Sequence, residues 1–436
     1  MCSGSLCSKL RAGVWVLGSE LWCLCLAALT QLSRSRNPSA MRRVGLLSRC
    51  ALATGCVVVG VLPALAEPYI GMREGLPCAA CHVNVTGGGM RTDLVRTHAR
   101  DVLRYPNFFG EFSNPPDYFT GEINKYVAIG SDLRANYMAV FQDEPVNGQV
   151  PNNEVIRGRL ESNDFDVSEF VMYGQVRLIP DKLFVYVDQR FLPSIDTREA
   201  FVFLHGIFPY EGFVKAGRFF LPYGLQLQDD GAFIRGGTNG SANTGFSFNN
   251  QQAGLELGAM PGPMTLVASV TDGPPGDTDV QVTATAYGMF TDVPVVRSVM
   301  LGGSVSRVAP PGTDYVVFGF FGGTNLERLS LLAEVDFLST KNPMTNGEYV
   351  GQFISYTEVN YLFFDWLNFK VAVNYADDDG NLSEHTDDAE NLVLFGFEPF
   401  WNRFLQTRLF YSISNGVQSQ PTHNQNVLCV EIHAFF

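Results

Sequence analysis

Beyond residue 66 the chain has no long hydrophobic run; no stretch approaches the roughly 18 apolar residues that a membrane-crossing helix needs. That excludes a helical membrane bundle. Positive charge is scarce as well. There are 30 Lys and Arg against 44 Asp and Glu, a net charge of −14, which argues against a nucleic-acid binder. Charged residues of either sign make up only 17% of the 436 positions, yet 46% are hydrophobic, which excludes a disordered chain. What is abundant points to β structure: 43 Gly, 34 Phe and 16 Tyr. No hydrolase elbow, phosphate loop or metal-protease motif occurs in residues 120–436.

The front of the chain reads as targeting sequence. Met41-Arg42-Arg43 opens a positive region that includes Arg49, an apolar run follows from Ala51 to Leu62, and Ala64-Leu65-Ala66 fits the small-x-small cleavage rule. Residues 41–66 are therefore expected to be a secretory signal peptide, and residues 1–40 an overlong gene start. Without residues 1–66 the chain loses seven basic residues, one acid and six cysteines. It keeps 23 basic and 43 acidic residues, net −20, and only Cys78, Cys81 and Cys429.

Two of those three cysteines sit in Cys78-Ala79-Ala80-Cys81-His82, the C-x-x-C-H attachment signature of haem c. Two thiols one short turn apart reach the two vinyl groups of a single porphyrin, and the following His82 falls under the iron as proximal ligand. A redox dithiol lacks the strand-then-helix context here, and a zinc site lacks a second ligand pair. For the distal position, Met90 and His98 follow within reach and Met72 precedes. A turn at Gly87-Gly88-Gly89 lets the chain fold back and present Met90. His98 lies in a candidate short helix, Val95 to Leu103, and is narrowly preferred. The domain expectation is a monohaem plug over 67–119 followed by a barrel over 120–436.

From about Tyr126 the sequence alternates with period two. Val127, Ile129, Leu133, Ala135, Tyr137, Ala139 and Phe141 share one face, against Gly130, Asp132, Arg134 and Asn136 on the other. Residues 252–259 and 280–290 repeat the pattern. Short turns are expected at Pro180-Asp181, Pro209 to Gly212, Pro261 to Pro263, Asp292 to Pro294, Asn325 to Arg328, Phe364-Asp365 and Pro399 to Asn402. Between them lie longer polar stretches: 142–164, 192–199, 221–250, 271–279, 309–313, 339–349, 376–390 and 414–426. Seven turns and eight longer connections imply sixteen strands. The 317 residues from 120 to 436 supply about 20 per strand with its connection, as in porins. The expected fold is all-β, an antiparallel outer-membrane barrel with a small N-terminal haem plug. Aromatic residues near strand ends (Phe219-Phe220, Tyr361, Phe363-Phe364, Trp366, Phe400-Trp401) suit interfacial girdles. The last segment alternates up to Phe436, which resembles the terminal assembly signal of bacterial outer-membrane barrels.

A signal peptide, one C-x-x-C-H shortly after it, and a complete barrel together resemble the fused cytochrome–porin family of outer-membrane proteins, whose characterised members are single-haem ferrous iron oxidases. Gly217-Arg218-Phe219-Phe220-Leu221-Pro222-Tyr223-Gly224 likewise resembles a porin strand segment. One stretch departs from the iron-oxidase type: Val83-Asn84-Val85-Thr86-Gly87-Gly88-Gly89 stands where that type has a proline- and phenylalanine-containing run. The resemblance implies an electron conduit across the outer membrane, with an iron:cytochrome c oxidoreductase activity. Its partners are outer-membrane lipid and lipopolysaccharide, a periplasmic electron-carrier cytochrome and an extracellular metal or mineral. A diffusion porin whose haem plug gates or senses is the competing reading. Finally, Asp377, Asp378 and Asp379 open a run of seven acids within residues 376–390 that also holds His385. As an outer loop this stretch is a candidate site for Fe(II) or a similar divalent ion.

Overall fold

The computed structural model describes residues 67–145, 155–225, 227, 231–235, 251–273, 280–309, 315–341, 349–377, 389–416 and 424–436. The expectations for residues 1–66 lie outside these. Four short helices come first: α1 (Pro68–Glu74), α2 (Cys78–Cys81), α3 (Asp93–Thr97) and α4 (Ala99–Leu103). A three-residue strand, β1 (Glu122–Asn124), leads into the barrel. The wall consists of β2 (Val127–Pro145), β3 (Val155–Ile179), β4 (Leu183–Leu192), β5 (Asp196–Phe208), β6 (Gly212–Phe219), β7 (Gln252–Ala259), β8 (Met264–Thr271) and β9 (Val280–Thr291). It continues through β10 (Ser298–Ala309), β11 (Tyr315–Leu326), β12 (Leu329–Lys341), β13 (Tyr349–Phe364), β14 (Leu367–Asp377), β15 (Glu390–Asn402), β16 (Leu405–Asn415) and β17 (Gln425–Phe435).

Each wall strand pairs antiparallel with the next, and β17 pairs back onto β2 from Gln425↔Gln142 to Phe435↔Asp132. The sheet is thus a closed ring of sixteen strands with β1 appended to β2. Phe436 completes the seam: its backbone N–H donates to the Ser131 carbonyl at 3.1 Å, and its own carbonyl accepts from Ser131 N–H at 3.2 Å. Closure leaves no strand edge unpaired, the condition for crossing hydrocarbon with strands. Among the described residues no helix is long and apolar enough to cross a membrane.

Burial is inverted relative to a water-soluble sandwich. On β8, Thr265, Val267, Ser269 and Thr271 are buried, while Leu266 and Val270 are 41% and 51% exposed. Leu255, Leu257, Leu301, Val305, Phe318 and Phe320 likewise face outward. Inside the wall lie Glu256, Gln281, Thr283, Ser304 and Ser306. They are joined by hydrogen bonds: Gln252 Nε2 donates to Gln281 Oε1 at 2.6 Å, and Gln281 Nε2 to Ser306 Oγ at 2.8 Å. An apolar outer band with a polar lining is the signature of a barrel that sits in lipid.

The short turns fall where the sequence places them, with one displacement. Pro399 lies within β15, paired with Leu367, and the chain reverses at Arg403-Phe404 instead. Three polar stretches also differ. β2 runs on to Pro145 and β3 begins at Val155, so 142–145 and 155–164 are strand. Residues 192–199 shrink to Pro193–Ile195, because β4 and β5 extend into them. In the connection after β6, the described residues turn inward: Leu221, Tyr223, Leu225, Leu227, Phe233 and Ile234 are buried. Leu225 N–H donates to Glu334 on β12 at 2.8 Å and Phe233 N–H to Asn374 on β14 at 3.0 Å. Apolar residues within a polar-looking stretch pull this connection across the lumen.

The seam makes a direct prediction. Unboiled protein is expected to migrate differently from boiled protein on a denaturing gel, and deletion of Phe436 to lower the folded fraction several-fold. Equal folding yields for the deletion and the parent, read from the same gel shift, would remove Phe436 from the assembly argument.

Candidate functional site

The N-terminal segment packs against the inner wall. Its apolar residues Tyr69, Ile70, Met72, Ala99, Val102 and Leu103 join Leu225, Leu227, Phe233, Met289, Met300 and Phe321 in one buried cluster. Burial of side chains this size contributes roughly 1.5–3 kcal/mol each. Polar contacts fix the register. Arg408 Nη2 meets Glu67 Oε1 at 3.1 Å, and Gln406 donates to the same oxygen. Burial pushes the Glu67 carboxyl up, but Arg408 and Lys370 outweigh it and hold the group below its ordinary value. Further along, Lys215 Nζ donates to Asn84 Oδ1 at 3.1 Å and Thr86 Oγ1 at 3.0 Å while pairing with Glu256 at 2.8 Å. Asn84 Nδ2 donates to Glu199 Oε1 at 3.0 Å.

α2 is a single turn, Cys78–Cys81, entered through Pro77. Proline presets φ and needs no N–H partner at the start of a helix. The turn closes with His82 N–H donating to Cys78 O at 3.0 Å. Both thiols and the imidazole therefore project from adjacent positions, and all three line one cavity. The wall side of the cavity is supplied by Tyr287, Met289, Met300, Phe321, His433 and Phe435, and the inward loop adds Pro222, Gly224 and Leu225. Tyr287 hydrogen-bonds the Cys78 side chain. Burial pushes the Cys78 thiol up, and it pushes Cys81 up to about 11, so both are protonated at neutral pH.

His82 has the features of a ligand in waiting. Burial, and then the Arg91 guanidinium, pull its imidazole down to about 4, which keeps it neutral. Its Nδ1 is buried without a hydrogen-bond partner. Neutral imidazole is the form that ligates metal, and an unpartnered buried nitrogen is costly unless something meets it. The donor set and its spacing fit a haem c.

Three consecutive glycines with positive φ, Gly87 at 94°, Gly88 at 82° and Gly89 at 64°, fold the chain back. A Cβ on Gly89 would fall 2.2 Å from Tyr186 Oη. The return strand bonds to the haem-motif strand: Val83 N–H donates to Met90 O and Thr92 N–H to Cys81 O, each at 2.9 Å. The side chain delivered to the cavity is Arg91. Met90 is 1% exposed and packs on the wall with Tyr173 and Tyr186. His98 is exposed beside Thr97. Neither lines the cavity, whereas Met72, Met289, Met300 and His433 do. The fold-back was legible from the glycines; the parity that turns Met90 to the wall and Arg91 inward depends on which face of the hairpin the wall covers.

The acidic candidate divides. Asp377 is buried at the end of β14, where pairing with Phe353 carries the strand through it, and Tyr375 Oη donates to it at 3.1 Å. It is not an exposed loop residue. Asp378 and Asp379 lie outside the described residues. Among the described residues no three His, Cys, Asp or Glu side chains converge on a metal site.

The docking contacts are testable. Lys215→Met leaves Glu256 buried without its cation, a loss of roughly 3–5 kcal/mol where a buried pair is broken. Faster hydrogen exchange in residues 83–90 is expected, with the heat-sensitive gel shift retained. Gly89→Val is expected to loosen the same segment. Parental exchange rates in both variants would show that these contacts do not hold the segment.

No protein-family model matches the sequence, and no curated protein does. Among solved structures, the anion-selective porin from Comamonas acidovorans is similar, with 12% identity, a TM-score of 0.48, and 71% of this chain and 99% of that one covered. So are the outer membrane channel DcaP of Acinetobacter baumannii (11%, 0.49, 71% and 97%) and a loop-deleted OmpT of Vibrio cholerae (13%, 0.48, 71% and 100%). The closed sixteen-strand ring and its lipid-facing apolar band make this chain a porin-like barrel of the bacterial outer membrane.

Proposed function

We propose that this barrel carries electrons across the outer membrane through one haem c attached at Cys78 and Cys81 and ligated by His82. The donor or acceptor outside is Fe(II) or another metal, and a periplasmic cytochrome is the partner inside. The observation that carries the reading is the convergence of both thiols and the His82 imidazole, its Nδ1 without a hydrogen-bond partner, on one cavity within the barrel. When bound there, haem supplies a one-electron redox centre.

The chain's own residues perform the rest. Cys78 and Cys81 fix the centre covalently, and the α2 turn holds His82 beside them. Leu225, Met300, Phe321 and Phe435 exclude water, so the centre is insulated from the lumen on that side. Of the cavity's remaining donors, His433 already uses both ring nitrogens, Nδ1 with Gln406 at 3.0 Å and Nε2 with Asp132 at 3.1 Å. The thioethers of Met72, Met289 and Met300 also line the cavity and would be available as a second iron ligand. Methionine with histidine would raise the potential relative to two histidines.

A haem-peroxidase stain after denaturing electrophoresis is expected to show a band in the wild type and none in Cys81→Ala. Colourless protein from cells with intact cytochrome maturation refutes the attachment. For transport, purified protein goes into liposomes with Fe(II) outside and an electron acceptor sealed inside, without oxygen. Reduction of the internal acceptor that is lost in His82→Ala is the expected result. Large ion conductance independent of haem, with no acceptor reduction, indicates instead a diffusion porin whose plug gates or senses. Haem reduction by other reductants but never by Fe(II) keeps the conduit and removes the iron substrate.

A further inference from the structure

The lumen is rich in buried arginines, and nearly all of them are matched. Arg134 meets Asp132 at 2.9 Å and Glu169 at 3.3 Å; Arg408 meets Glu431 at 2.7 Å and Glu67 at 3.1 Å. Arg198 pairs with Asp188 at 2.9 Å and also with Glu169. Arg91 differs. Its guanidinium carbon lies 3.6 Å from the centroid of the Phe435 ring, so one face of the group is stacked. Among the described residues its side chain makes no hydrogen bond and no ion pair. The two acids on the cavity, Glu67 and Asp132, are already engaged by Arg408 and Arg134. Arg91 is half-buried on the cavity, and its planar fork is built for a carboxylate.

Its position is fixed by backbone. His82 and Arg91 form an antiparallel bridge, flanked by the Val83–Met90 and Thr92–Cys81 hydrogen bonds. Thr92 Oγ1 adds a bond to Ala80 O at 2.6 Å. The unpaired cation is thereby held opposite the proximal histidine, on the same cavity as both thiols.

We infer that Arg91 binds a propionate carboxylate of the haem, with Phe435 as the platform that orients its guanidinium. This inference rests on the haem reading above. It makes Arg91 a positioning residue: its charge would offset a propionate carboxylate and so favour the ferrous state.

The test uses full-length protein purified from cells with intact cytochrome maturation, in three forms: wild type, Arg91→Gln and Arg91→Lys. Covalent haem per chain is measured by haem stain and pyridine haemochrome. The propionate vibrations are read by resonance Raman, and the midpoint potential by spectroelectrochemistry at one pH. The expected result is haem retained in all three. The propionate bands move in both variants, because lysine cannot reproduce the bidentate fork. The potential falls in Arg91→Gln and falls less in Arg91→Lys, which keeps the charge. Wild-type propionate bands and potential in the variants overturn the inference while leaving the haem reading intact. Absence of covalent haem from the wild type overturns the haem reading itself. If Arg91→Gln does not assemble, Arg91→Lys decides alone: shifted propionate bands support the contact, and unshifted bands refute it.

Discussion

Everything in this structure depends on ring closure. In hydrocarbon an unpaired backbone N–H or C=O has no water to turn to, so the sheet must end on itself. The β17–β2 seam meets that demand, and the Phe436–Ser131 exchange takes it to the last residue. Closure then dictates side-chain parity. Once the ring shuts, every second residue faces lipid and every other one faces the interior, which is why Leu301 at 63% and Phe320 at 61% exposure are in their proper place. It also creates an enclosed volume that something must occupy.

What occupies it is a mixture unusual for a water-filled channel. Helix α1 and the inward connection after β6 bring Tyr69, Met72, Leu225, Leu227 and Phe233 into one apolar cluster inside the wall. Around that cluster the charges are matched: Lys215 with Glu256, Lys370 with Glu398 and Glu358, Arg408 with Glu431 and Glu67. Buried ion pairs add little net stability, but breaking one is expensive. They act here as registration marks that let the N-terminal segment seat in one way only.

Much of this was legible in the sequence. Strand parity and the short turns could be read because lipid on one side and polar lumen on the other impose a strict period of two. Cys78, Cys81 and His82 stood out by their C-x-x-C-H spacing, and the fold gathers all three on one cavity. Other features were hidden. Pro399 looks like a turn but is tolerated in β15 where one ladder hydrogen bond can be spared, and the reversal moves to Arg403. The stretch 221–235 looks like an outer loop by composition, yet its scattered apolar residues are satisfied only inside. Met90 and His98 were reasonable ligands by distance along the chain. Sequence separation does not say which face of a hairpin the wall will cover, and here the wall takes Met90.

On the haem reading proposed above, the same geometry gives a reason for a redox centre to lie inside such a ring and not on a loop. A loop would leave the centre wet and mobile, with its potential set by solvent. Within the lumen, four features act on one small volume: the two thiols of α2, a hairpin pinned to it by backbone bonds, an aromatic platform on the closing strand, and apolar cover from the inward connection. Each comes from a different part of the chain, and none can move without disturbing the wall. Phe435 sits on β17, the strand that closes the ring, so the cation facing the cavity is oriented by the seam itself. Barrel closure and the orientation of Arg91 are in that sense one event: a barrel that failed to shut would also misplace the ring on which this guanidinium rests.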